Sequence, residues 1–331
     1  MILVTGATGH IGNVLVRFLR QRGENVRALI LPGEDCCSLD GLGVETCEGD
    51  VLQPGLLARA FAGVRTVYHL AGVISILPGK DDLLRRVNIQ GTMNVVQAAL
   101  QAGVRRLVYT SSIHAIARPP EGVIIDETIP FDPTSSYGEY DRSKAEASMV
   151  VLDAVDHGLD AVIVCPTGVI GPYDYRRSEL GQLILDYVQE KPQFYVDGAY
   201  DFVDVRDVAD GLIKAHENGR TGESYILSGE RVSVVDLLLS LREVTGKRLP
   251  LLRIPRAIAR FASRFTPYYY RLTHTKPRFT TYSLETLESN SVISHAKAQR
   301  ELGYSPRPIK ESLIDAVSWF HENRRLLQGA P

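Results

Sequence analysis

The chain begins Met1-Ile2-Leu3-Val4-Thr5-Gly6-Ala7-Thr8-Gly9-His10-Ile11-Gly12, an apolar run that breaks into three evenly spaced glycines and then into an amphipathic stretch. Gly6 permits a tight turn after a strand, Gly9 lets backbone approach an anion closely, and Gly12 lets the following helix pack near the strand. Unpaired N–H groups at the start of that helix favour a pyrophosphate. A glycine pattern alone is weak, since an ordinary strand-to-helix turn can produce it. Within a βαβ unit it reads as a dinucleotide site.

Outward from the loop, the chain as far as Pro166 alternates short apolar runs with longer amphipathic segments, the mark of repeated βαβ units. Strands are predicted at Ile2–Val4, Asn25–Ile30, Thr66–Leu70, Arg106–Tyr109 and Ala161–Cys165, and helices near Ile11–Arg22, Gly55–Ala62, Leu83–Gln101 and Gly138–His157. Gly23, Gly63, Gly103 and Gly158 supply the helix stops. The implied fold class is α/β, a Rossmann doubly wound parallel sheet with right-handed crossovers and a smaller C-terminal substrate-binding lobe. After Pro166 the rhythm changes to short elements punctuated by Pro172, Pro192, Pro250, Pro255, Pro267 and Pro277. Asp201–Asn218 reads as a strand and helix that return to the first unit. Residues 1–166 with 201–228 are therefore assigned to the dinucleotide-binding domain, and 167–200 with 229–331 to the substrate lobe.

Composition narrows the partners. With 331 residues, 44% of them hydrophobic and 23% charged, the chain has the balance of a soluble globular protein with a large core. A net charge of -2 leaves no basic excess for nucleic acid or an anionic membrane, so a small molecule is the expected partner. The opening strand leaves no room for a targeting peptide, and charges interrupt every apolar stretch before the roughly 18 residues that a bilayer span needs. A cytoplasmic location is expected. Cys36, Cys37, Cys47 and Cys165 lack C-x-x-C spacing, so reduced thiols and no metal site are expected.

Tyr140-Asp141-Arg142-Ser143-Lys144 places a phenol and an amine one helical turn apart on the same face. A free phenol titrates near pH 10, and a neighbouring ammonium favours its phenolate, so Lys144 is expected to lower the pKa of Tyr140. Tyr109-Thr110-Ser111-Ser112 puts hydroxyls at the carboxyl end of a strand, where open α/β sheets bind their ligands.

These features in this order resemble the extended short-chain dehydrogenase/reductase family, also called the NAD-dependent epimerase/dehydratase family. The resemblance spans nearly the whole chain. It implies a coenzyme site made of Gly6, Thr8, Gly9, His10, Ile11 and Gly12, with Asp50-Val51 at the adenine and Leu70-Ala71-Gly72 beside the pyrophosphate and ribose. Tyr140, Lys144 and Pro166 complete it at the nicotinamide end. Ser112, Tyr140 and Lys144 take the catalytic roles, and Asn88 matches an asparagine that supports them, although a locally satisfied polar helix residue would look the same. His114 fits the substrate wall better than a general acid. Its lack of cysteine or carboxylate companions argues against metal. The aromatic run Phe265–Tyr270 could cover an apolar substrate or simply pack.

The coenzyme is NAD(P). Leu31 stands where dihydroflavonol-reductase-like NADP enzymes carry an arginine, which tilts the reading towards NAD, with Asp35 as the acid within reach of the ribose. Within the family the chain is most similar to dihydroflavonol-reductase-like and 3β-hydroxysteroid-dehydrogenase-like members, which implies hydride transfer between nicotinamide and a carbonyl or secondary alcohol. The alternative is a nucleotide-sugar epimerase with tightly bound NAD. Tyr200 replaces the arginine that grips a substrate diphosphate in such enzymes, although Arg176 and Arg177 could substitute. Ser112-Ile113-His114 lacks the Thr-Asp-Glu of the dehydratases. The resemblance also implies a homodimer joined through the Leu83–Gln101 and Gly138–His157 helices.

Overall fold

The computed structural model describes residues 1–75, 79–265 and 281–323. Its strands are β1 Ile2–Thr5, β2 Val26–Ile30, β3 Glu45–Glu48, β4 Thr66–His69, β5 Arg106–Thr110, β6 Ala161–Pro166, β7 Gly168–Ile170, β8 Gln193–Tyr195, β9 Ala199–Asp204, β10 Ser224–Leu227, β11 Glu230–Ser233 and β12 Leu251–Arg253. Seven of them form one sheet in the order β10, β6, β5, β4, β1, β2, β3, with every pairing parallel. The order reverses between β1 and β4, and a crevice at such a reversal is where doubly wound sheets hold their ligands.

The helices that cover this sheet are α1 His10–Gln21, α2 Pro54–Ala60, α3 Asp81–Leu84, α4 Gly91–Gln101, α5 Glu139–Asp156 and α7 Val205–Asn218, while α6 Glu179–Val188 and α8 Val234–Thr245 belong to the smaller lobe. Successive strand residues point to opposite faces, so one strand feeds two cores. Ile2 and Val4 pack with Val14 and Leu15 of α1 and with Val208 and Leu212 of α7. Leu3 and Leu107 pack on the other face with Leu57 of α2, Val95 of α4 and Val151 of α5. Each such side chain contributes about 1.5–3 kcal/mol on burial. A third core, with Ile184, Leu241, Trp319 and Phe320, forms the smaller lobe. Arg307 joins it to α7 through an ion pair of 2.7 Å with Asp207.

Several expectations need correcting. The strand of Asp201–Asn218 does not enter the large sheet. β9 pairs instead with β7 and β11 in a three-stranded sheet, and only α7 lies on the main layers. The seventh strand of the main sheet is β10. The edge strand β3, with its polar sequence Glu45-Thr46-Cys47-Glu48, lacks the apolar run on which the strand reading relied, whereas β10 carries a short one, Tyr225-Ile226-Leu227, that the reading passed over. The long helix predicted over 83–101 is interrupted by a π turn at Arg85–Gln90. Phe265 lies at the edge of the described residues, while the rest of its aromatic run, Pro267 and Pro277 fall outside them.

Candidate active site

The glycine loop is held by close backbone contacts. Gly6 has φ +68°, and a Cβ there would lie 2.7 Å from the backbone nitrogen of Ala71. A Cβ on Gly12 would lie 2.1 Å from the carbonyl oxygen of Gly6, so only glycine allows α1 to start so close to the loop. Thr5 Oγ1 accepts from the backbone N–H groups of Leu70 (3.2 Å) and Ala71 (3.1 Å), which locks the Leu70-Ala71-Gly72 turn onto the loop. His10 of α1 bonds through Nε2 to the Pro172 carbonyl at 2.9 Å. Ile11 is partly buried against the core on the α1 face. Asn13, which the sequence reading passed over, is fully buried and donates to the carbonyls of Gly9, His10 and Tyr173.

The adenosine end differs from expectation. Asp35 turns towards its own loop and accepts from the backbone N–H of Cys37 at 2.9 Å. Glu34, the neighbouring acid, faces the glycine loop instead. A turn from Leu31 to Glu34, with Gly33 at φ +75°, brings the carboxylate back so that it accepts from the Leu31 N–H at 2.8 Å and the Thr8 hydroxyl at 2.6 Å. Arg176 reaches over from the β7–α6 connection to pair with Glu34 and donate to Thr8 Oγ1 at 2.7 Å. It is therefore engaged on the coenzyme side. Asp50 caps its own turn through the Leu52 N–H, while Val51 is buried and receives Asn94 on its carbonyl. Pro166 ends β6, paired with Leu227.

At the carboxyl end of β5 the three adjacent hydroxyls separate by partner. Ser111 is tied to Ser148 of α5 at 2.7 Å, and Thr110 Oγ1 is buried without a partner. Ser112 caps a short turn by accepting from the His114 N–H at 3.2 Å, and its hydroxyl favours the Tyr140 phenolate. Tyr140 and Lys144 lie on the buried face of α5. The structure does not place the ammonium on Tyr140. Lys144 Nζ donates to Tyr109 Oη at 3.1 Å and to the Thr110 carbonyl at 2.7 Å. Burial therefore dominates the Tyr140 phenol and pushes its pKa up to about 12, against the lowering expected from Lys144, with Ser112 opposing the shift. Burial also drives the Lys144 ammonium down to about 7. Asn88 occupies the π turn, a feature that often marks functional positions. Its side chain bonds both the N–H and the carbonyl of Val73 and donates to Ser143 Oγ at 3.0 Å, so it joins the Gly72 turn to α5.

Beyond Tyr140 stands an aromatic wall. The His114 ring stacks on Tyr200 with an interplanar angle of 13° and meets Tyr140 edge-on. His114 Nε2 bonds Tyr200 Oη at 2.8 Å. Burial holds its pKa at about 3, which rules out an imidazolium acid at neutral pH and suits a wall. Arg118 and Tyr282 both bond to the buried carboxylate of Asp141, at 2.8 and 2.6 Å. Tyr282 comes from the Thr281–Glu288 helix and rests on Gly138, the N-cap of α5, where a Cβ would lie 3.1 Å from its ring.

A family model described as the NAD dependent epimerase/dehydratase family matches residues 2–228. The chain belongs to this family, and it is an NAD(P)-dependent oxidoreductase of the extended short-chain dehydrogenase/reductase type. It is 40% identical to sterol demethylase protein B of Methylococcus capsulatus over 97% of this chain and 98% of that protein. Identity to a putative dihydroflavonol 4-reductase of Synechocystis is 32%, over 97% and 94% of the two chains. A 3-beta-hydroxysteroid dehydrogenase of Mycolicibacterium neoaurum is 28% identical over 99% and 94%. Among solved structures, gox2253 superposes with a TM-score of 0.86 at 34% identity, covering 98% of this chain and 99% of that one.

Proposed function

We propose that the protein interconverts a ketone and a secondary alcohol on a bulky, cyclic and largely apolar molecule, of the kind that the names of its sterol, steroid and dihydroflavonol relatives imply. The observation that carries this reading is a protonated, buried Tyr140 next to Ser112, facing a wall of His114 and Tyr200. Bound nicotinamide supplies or accepts the hydride. The glycine loop fits its pyrophosphate, and Glu34 fits the adenosine ribose. Tyr140 gives its phenolic proton to the carbonyl oxygen during reduction and takes it back during oxidation. Ser112 donates to the same oxygen and stabilises the charge that develops there. Lys144 has two of its three N–H groups engaged, which leaves one for the coenzyme ribose.

The nucleotide-sugar epimerase is the weaker alternative. The Tyr200 hydroxyl is bonded to His114, and Arg176 is held by Thr8 and Glu34, so neither is placed to grip a second diphosphate. The reading includes a cytoplasmic homodimer. Leu83, Met93, Leu100 and Met149 are exposed apolar residues on α3, α4 and α5, the helices expected to form its interface.

A coenzyme-linked assay with polycyclic ketones and nucleotide sugars tests the activity. Ketone-dependent oxidation of NAD(P)H is expected, lowered about 10²- to 10⁴-fold in Tyr140→Phe with coenzyme affinity retained. Ser112→Ala should also slow turnover without affecting coenzyme binding. Near-normal turnover in Tyr140→Phe, or sugar epimerisation without net coenzyme change, would overturn the proposal.

A further inference from the structure

Beneath the site lies a buried chain of polar side chains to which no role has yet been given. His69, at the end of β4, bonds Thr5 Oγ1 through Nδ1 at 2.7 Å and Thr92 Oγ1 through Nε2 at 3.0 Å. Thr92 donates its single proton to the Asn88 carbonyl at 2.6 Å. His69 Nε2 must therefore carry the hydrogen, and Nδ1 must accept one from Thr5. That direction agrees with Thr5 Oγ1 already accepting from Leu70 and Ala71. A neutral imidazole satisfies every member, and burial with the Lys144 charge keeps it neutral.

Tyr109 packs against this chain. Its ring is fully buried on β5, 5.5 Å from the His69 ring. An ammonium can only donate, so the phenol oxygen turns a lone pair towards Lys144. Lys144 Nζ sits 3.1 Å from that oxygen and 4.7 Å from the ring centroid. The ionisable groups around the ammonium are Tyr109 on β5, His69 on β4, Cys165 on β6 and Tyr140 on α5. All are neutral at neutral pH, and none is a carboxylate. The buried charge is held by neutral acceptors alone, and Tyr109 is its only side-chain acceptor among the described residues.

We propose that Tyr109 is a positioning residue. Its phenol accepts from the Lys144 ammonium, holds it in its charged form and fixes where it sits beneath the site. This inference rests on Lys144 being the lysine of the site. Its test needs neither substrate nor coenzyme, so it can fail separately from the proposed reaction.

The test follows the Lys144 side chain by carbon NMR in lysine-labelled, coenzyme-free protein across pH, with Lys144→Met to assign the resonance. Tyr109→Phe keeps the ring and removes the acceptor, so the Lys144 titration should move down by about one pH unit, the size of one hydrogen bond to a charged group. Thr92→Val touches the polar chain but not the Lys144 bond, so it should leave the titration where it is. A structural role alone would lower thermal stability and leave the titration unmoved in Tyr109→Phe as well. An unchanged Lys144 titration in Tyr109→Phe overturns the proposal. Should that variant not fold, an unchanged titration in protein carrying 3-fluorotyrosine, whose phenol oxygen is a weaker acceptor, does the same.

Discussion

Replacing Lys144 with methionine should make the protein more stable and less able to bind its coenzyme. Burial lowers the lysine pKa from 10.5 to about 7, a fall of ~3.5 units, or a ceiling of ~5 kcal/mol at ~1.4 kcal/mol per unit. Below pH 7 the folded chain carries that whole penalty. Methionine removes it but leaves the Thr110 carbonyl and the Tyr109 phenol without their donor, which costs about 1–2 kcal/mol. A net gain of ~3 kcal/mol remains at pH 6. With an unfolding entropy of ~2.1 cal/mol/K per residue, a chain of 331 residues gains ~1.4 °C per kcal/mol, so Tm should rise by ~4 °C. Between pH 7 and 10.5 the unfolded parent keeps a lysine proton that the folded parent has released. Parent stability therefore climbs with pH across that window, and the methionine variant lacks this climb. The Tm difference should have nearly closed by about pH 9. Calorimetry of both proteins at pH 6 and 9, alongside coenzyme titration, measures each part. A variant less stable than its parent at pH 6, or a difference independent of pH, would refute the argument that Lys144 is a buried charge kept for function at the expense of stability.

Two further outcomes follow from the same geometry. NAD(H) should bind at least as tightly as NADP(H), and Glu34→Gln should reverse the order by about tenfold, since it weakens the acceptor for a ribose hydroxyl, removes the charge that repels a 2'-phosphate and frees Arg176 for that phosphate; fluorescence titrations in which the ratio stays fixed would exclude Glu34 as the selector. Light scattering at micromolar concentration should report a dimer, and a monomer would leave Met93 and Met149 as ordinary exposed residues.

The main sheet was legible because its inner strands are buried on both faces and read as plain apolar runs. β3 escaped because it is an edge, with exposed Glu45, Thr46 and Glu48. β9 was placed in the wrong sheet because pattern gives strand character but not pairing. The glycine loop and the Tyr140–Lys144 spacing follow local rules and were read directly. Glu34 was missed for a local reason of another kind. The acid was sought at positions 30, 31 and 35, while Pro32 and Gly33 fold the chain back and bring the Glu34 carboxylate against Thr8 of the glycine loop. The Lys144 environment was misjudged because spacing on a helix shows which residues share a face, not what that face packs on. Tyr109 arrives from β5 to take the ammonium, a contact 35 residues apart in sequence. The Asp141, Arg118 and Tyr282 cluster likewise draws on three distant segments.

Gly138 and Tyr282 occupy one space between them. A Cβ at position 138 would press on that ring at 3.1 Å, so the ring would have to give by a few tenths of an ångström, and the phenol that seals the first turn of the catalytic helix comes from 144 residues along the chain. The two positions therefore constrain each other, because a larger residue at 138 pushes on the ring whose hydroxyl holds Asp141. Changes around Tyr282 are thus coupled to the helix that carries Tyr140 through one missing methyl group.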